Sequence, residues 1–228
     1  MRRMLDRLHE EIVACARCPR LVAYRERVAV EKRRQYRDET YWGRPLPGFG
    51  DPRARVVIVG LAPAAHGGNR TGRMFTGDSS GEWLARALYE AGFANRPTSV
   101  HCDDGLQLSD AYITAAVRCA PPDNKPSREE LVACRPYLIW ELALLDRTRV
   151  VIAFGKIGFD AYLAARREAG LAIPAPRPAF GHGAARELSD GLTLLASYHP
   201  SRQNTQTGRL TAPMLRDVFL HARGLLSD

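Results

Sequence analysis

The sequence predicts an α/β protein, a three-layer α/β/α sandwich around a central, four-stranded, mainly parallel sheet. Four apolar runs at residues 56–59, 111–117, 148–154 and 192–198 suit strands covered on both faces. Stretches with helical spacing separate or follow them. That alternation implies right-handed crossovers and a helical layer on each side of the sheet. The chain has 228 residues, 45% of them hydrophobic and 8% aromatic, which suits one domain spanning 1–228.

Leu5, Leu8 and Ile12 recur at the spacing of a short amphipathic helix that runs into the CARCP turn at Cys15 and Cys18. Residues 1–55 carry 14 Lys and Arg against 8 Asp and Glu, most of the net charge of +8. Arg25, Arg27, Lys32, Arg33, Arg34 and Arg37 read either as solvated surface or as a track for a phosphate backbone. Residues 41–50, YWGRPLPGFG, read as an ordered loop.

The first buried strand, VVIV at 56–59, stops at Gly60 and empties into a long loop with five glycines from Gly60 to Gly77. In open α/β sheets ligands bind at strand carboxyl ends, and glycines let backbone N–H groups come close to them. Gly67 to Gly72 has the spacing of a phosphate-binding loop, but Arg73 and Met74 stand where Lys and Ser or Thr are required. The loop instead presents an aromatic ring, a hydroxyl and a carboxylate together: Phe75, Thr76 and Asp78.

Trp83, Leu84, Ala87, Leu88 and Ala91 mark the next helix, with Gly92 as its stop. A second polar loop, RCAPPDNKP at 118–126, follows the strand at 111–117. SREE at 127–130 is a capping box opening a helix that carries Cys134. The strand at 148–154 leads into a helix over 155–168. The fourth strand ends in HPSRQN at 199–204, and a last helix starts near Thr211 with Pro213 in its first turn. All three polar loops then meet at one edge of the sheet.

No apolar run approaches the ~20 residues of a membrane span, and residues 1–12 lack a signal-peptide core, so a cytoplasmic protein is expected. Five cysteines there should not be disulfides. Cys15, Cys18, Cys119 and Cys134 can converge as four thiolates, which suit either zinc or a [4Fe–4S] cluster; Cys102 is left over as an ordinary thiol.

Taken together, the CxxC with Cys119 and Cys134, VGLAPAAHGGNRTGRMFTGDSSG, TAAVRCAPPDNKP and SYHPSRQNTQTGRLT resemble the family 5 uracil-DNA glycosylases, the iron–sulfur type. The likeness runs from Cys15 to about Thr211. It implies a [4Fe–4S] cluster on the four cysteines, and a monomeric enzyme acting on single- or double-stranded DNA that contains uracil. It also implies release of other deaminated bases such as hypoxanthine, because Leu61 and Ala62 replace the acidic or amide residue of neighbouring families. Asp78 would then position water or stabilise the sugar cation, with Asn124 assisting and His199 donating to the base.

A flipped base would stack on Phe75 and lie beside Gly60, Ala62 and His66. Arg70, Arg73, Ser201, Arg202 and Arg209 would meet phosphates. Two other classes remain at this point: a non-catalytic iron–sulfur DNA-binding module, and a small-molecule nucleosidase.

Overall fold

The computed structural model describes residues 2–227. Six strands form one sheet: β1 (Phe49–Gly50), β2 (Val56–Gly60), β3 (Ala111–Ala115), β4 (Val150–Phe154), β5 (Ala185–Glu187) and β6 (Thr193–Ser197). Their spatial order is β1-β3-β2-β4-β6-β5. The four predicted strands are the parallel centre. The short β1 and β5 pair antiparallel with β3 and β6 and finish the edges. Neither edge strand has an apolar run to announce it, and β5 is exposed throughout.

Eight helices complete the fold: α1 (Arg2–Val13), α2 (Pro19–Glu31), α3 (Gly68–Thr71), α4 (Ser79–Glu90), α5 (Arg128–Leu144), α6 (Gly155–Glu168), α7 (Arg202–Gln206) and α8 (Ala212–Gly224). Register aligns Ile58 with Ile113 and Ile152, and Ile152 with Leu195, so one sheet face is a row of large aliphatics. Leu84 and Leu88 of α4 and Leu215, Val218 and Phe219 of α8 cover it. The alternate residues Val57, Val59, Val151, Ala153 and Leu194 face Leu138 of α5 and Phe159 and Leu163 of α6. A third apolar cluster joins Leu8, Ile12, Leu21, Val117 and Tyr137 to Cys119 and Cys134.

The basic run at 25–37 is largely helix, with Arg27, Arg33, Arg34 and Arg37 exposed as a surface run should be and Arg25 alone buried, a correction for that one residue. Pro19 sits at the first turn of α2, where its missing N–H costs nothing, and the helix buries Leu21, Arg25 and Val28. The capping box of α5 is present: the Ser127 N–H donates to Glu130 at 2.7 Å, and the Glu130 N–H to Ser127 Oγ at 3.3 Å. Arg20 reaches across from α2 to grip both Glu130 oxygens at 2.7 Å. Among the described residues, no helix is long and apolar enough to cross a membrane.

Candidate active site and cysteine centre

The chain runs from β2 outward to β3, then returns to place β4 on the other side of β2, so the sheet has its topological switch point between β2 and β4. Gly60 ends β2 and Phe154 ends β4. Three rings collect there. Phe75 lies 5.8 Å from Phe154 and 5.6 Å from His199, and Phe154 lies 6.2 Å from His199. Phe154 was not among the residues singled out in the sequence, because an aromatic residue at a strand end reads as core.

Phe75 is held with φ 49°, a left-handed conformation uncommon for a bulky residue. Gly60 explains how the ring fits: a Cβ there would stand 2.8 Å from Phe75 Cε2. Gly60→Ala is expected to push the ring aside without unfolding the strand. With stacking worth ~1–3 kcal/mol per base, base release should fall at least ~5-fold in kcat/KM, measured beside an unchanged Tm.

Asp78 caps α4, its Oδ1 accepting the Gly81 N–H at 2.9 Å. Its Oδ2 sits where a Cβ on Gly67 would intrude at 2.1 Å, so glycine at 67 makes room for the carboxylate. Burial is the main influence on this carboxyl and raises its pKa, against the lowering effect of the Gly81 and Ser80 N–H groups. His199 is partly exposed, and burial pushes its pKa down to about 4, so the ring is neutral at physiological pH. Its carbonyl accepts from Asn204 Nδ2 at 2.8 Å, which fastens the loop between β6 and α7.

Asn124 is exposed in a one-turn 3-10 segment, and both it and Asp123 have left-handed backbones, φ 56° and 52°. Among the described residues its side chain has no hydrogen-bond partner. Ala62 packs against the cysteine-lined cluster, and His66 Nδ1 lies 3.0 Å from Tyr41 Oη.

Arg70 and Arg73 do not face outward as the sequence reading expected, and they are corrected here to internal braces. Arg70 is buried. It pairs with Glu39, donates to the carbonyls of His66 at 2.9 Å and Gly77 at 2.8 Å, and lies 3.9 Å over the Tyr36 ring. Arg73 is equally buried, with Nη2 on Asp104 at 2.8 Å and Nε on Thr76 Oγ1 at 2.9 Å. A guanidinium has five donors, and a glycine-rich loop leaves many carbonyls to satisfy. The two arginines hold the 66–78 loop in shape. Arg202 and Arg209 are exposed and, among the described residues, have no carboxylate within 4.0 Å; Arg209 rests 4.5 Å over the Tyr198 ring. Ser201 is half-buried at the head of α7.

Cys15, Cys18, Cys119 and Cys134 line one cavity with Arg25, Arg118 and Tyr137. Among the described residues, no three of the four sulfurs lie within 4.8 Å of one another; the only such potential ligand group is the half-buried His101 with the exposed Cys102 and Asp103. Sulfurs around one zinc ion, each at ~2.3 Å, would stand only ~3.8 Å apart. Burial pushes the bare thiols up, Cys119 to about 11 and Cys134 to about 12. Yet Arg25 Nη1 donates to Cys119 Sγ at 3.0 Å and the Arg118 N–H to Cys134 Sγ at 3.3 Å. Among the described residues, Arg25 Nε and Arg118 Nε and Nη1 are buried without a hydrogen-bond partner. Buried guanidinium N–H groups left without acceptors beside the sulfurs suit an anionic centre made of thiolates.

The family model for the uracil DNA glycosylase superfamily matches residues 47–222. The Type-5 uracil-DNA glycosylase of Thermus thermophilus is 53% identical over 216 residues, 95% of each chain. That of Mycobacterium tuberculosis is 53% identical over 219 residues, 96% of this chain and 80% of its own. The Type-4 uracil-DNA glycosylase of Pyrobaculum aerophilum is 34% identical over 160 residues, covering 70% of this chain and 64% of its own.

Proposed function

The chain belongs to the uracil-DNA glycosylase superfamily, and from that membership we propose how its residues release a base from DNA. The protein is a uracil-DNA glycosylase, a hydrolase of the bond between base and sugar. One observation carries the assignment of the site: Phe75 lies against His199 at the switch point, with the Asp78 carboxylate at the head of the helix that follows.

The uracil nucleotide leaves the stack and lays its base on the Phe75 ring. As the C1′–N1 bond breaks, its electrons move onto the base. The neutral His199 ring donates to the base oxygen where that charge collects, while the sugar becomes oxocarbenium-like. Asp78 faces the cation side. Its raised pKa makes it a better acceptor for the proton of the water that attacks C1′. Asn124, with its side chain free, assists in placing the water or the base. Leu61 and Ala62 offer no side-chain polar group to the pyrimidine edge, which supports the release of hypoxanthine as well.

The cysteine centre is best read as a [4Fe–4S] cluster held by Cys15, Cys18, Cys119 and Cys134, because these four thiols line one cavity walled by the buried Arg25 and Arg118. When bound, the cluster clamps the N-terminal helices to the loop after β3. Iron and acid-labile sulfide at four of each per chain are expected on elemental analysis; stoichiometric zinc would refute this.

The exposed arginines beside His199 contact the phosphates of single- or double-stranded DNA, and a monomer in the cytoplasm suffices for this chemistry. Arg202→Gln is expected to weaken binding equally for uracil-containing and normal duplexes and to reduce the slope of log affinity against log salt by about 1. Uracil release from a duplex oligonucleotide tests the whole proposal. Release from free deoxyuridine alone would favour a nucleosidase, and binding without release a non-catalytic module.

A further inference from the structure

Among the described residues, Arg25 is the one buried cation of the cysteine cavity that has no buried carboxylate beside it. Its neighbour Arg118 pairs with Glu141, both of them fully buried, and Glu141 also accepts from Tyr112 Oη at 3.2 Å and the Gly48 N–H at 3.0 Å. That network accounts for the charge of Arg118. Arg25 is only 5% exposed, and its nearest carboxylate, Glu26 at 3.5 Å, is 60% exposed and screened by water. The rest of its contacts are the Cys15 carbonyl at 3.3 Å and Cys119 Sγ at 3.0 Å. A buried cation without a counter-charge is strongly unfavourable, and a protonated thiol is a weak acceptor. The missing partner is therefore negative and lies at the sulfurs.

Four thiolates around a [4Fe–4S] core of charge +2 leave a net charge of about −2. We propose that Arg25 is the counter-charge of this centre and, through its bond to Cys119 Sγ, a determinant of its reduction potential. The inference rests on the cofactor reading above. Reduction adds one electron to the cluster and breaks no bond. A cation in the wall stabilises the more negative, reduced form, so Arg25 raises the potential. Arg25 also has a fixed mount. Its carbonyl accepts from Asn69 Nδ2 at 3.2 Å, tying α2 to α3 in the loop that carries Phe75 and Asp78.

The test is a spectroelectrochemical titration of the holoprotein, an electrode supplying electrons through soluble mediators, with iron and sulfide counted for every variant. Arg25→Gln is expected to move the midpoint to more negative potential, and Arg25→Lys, which keeps the charge, to move it less. A variant with full iron and sulfide and an unmoved midpoint overturns the proposal. So do equal shifts for Gln and Lys, the signature of a packing role alone. If Arg25→Gln fails to hold the cluster, Arg25→Lys decides: full iron and sulfide with a midpoint close to that of the unaltered protein support the charge role, and loss of the cluster in the lysine variant as well overturns the inference. Zinc in place of iron in the unaltered protein overturns the cofactor reading and this inference with it, whereas iron without a shift overturns only the inference.

Discussion

Asp78→Asn is expected to slow single-turnover uracil release by ~100-fold or more while leaving DNA affinity nearly unchanged, as for a group that acts in the transition state. The substitution separates two roles that share one side chain. Asp78 Oδ1 caps α4 through the Gly81 N–H, and asparagine caps a helix as well as aspartate does. Helix stability should therefore survive, and a changed Tm would show that capping had been damaged too. What asparagine removes is the negative charge beside Gly67 and the ability to take a proton from water. Near-normal single-turnover rates in the variant would reduce Asp78 to a helix cap and move water positioning to Asn124.

His199→Ala is expected to cost ~100–1000-fold in the same assay on uracil, the range found when one donor to a developing oxyanion is removed. The loss should shrink for bases that leave more readily, because less negative charge then needs a donor. The pH dependence supplies a second check. With the His199 pKa pushed down to about 4, the neutral ring persists from pH 8 down to pH 5, and no histidine limb should appear in the rate profile there. An imidazole that is neutral when folded and near its ordinary value when unfolded favours folding above pH ~6.5, and that contribution is lost as the pH falls towards 4. His199→Ala should lessen the acid sensitivity of Tm across that window. An unchanged rate on uracil would sink the assignment of His199 as the donor.

The central sheet could be read from the chain because four doubly covered strands have no polar face to disguise them. VVIV at 56–59, four β-branched residues in a row, suits a strand buried on both faces in the middle of a parallel sheet, where the structure has it. The loops with glycine and polar residues at strand ends pointed to the candidate site for a similar reason, since backbone must come close to a ligand there. Helix α2 was hidden because its exposed face is basic and only Leu21, Arg25 and Val28 turn inward, so its charge looked like a surface run. The edge strands β1 and β5 are two and three residues long and borrow their order from β3 and β6.

What the sequence alone determined was the α/β class, the four central strands, the cysteine set and the identity of the polar loops, all of which depend on local residue pattern. Tertiary structure decided which charged groups look outward. Arg70 and Arg73 have the same chemistry as Arg202 and Arg209, yet the first pair is spent on Glu39, Asp104 and loop carbonyls and the second is left in solvent. It also decided that Phe154 joins Phe75 and His199, and that Arg25 meets Cys119. The physical reason is common to these cases. The fate of a charge or a ring depends on partners from distant parts of the chain, 94 residues away for Arg25 and Cys119, and only folding brings them together.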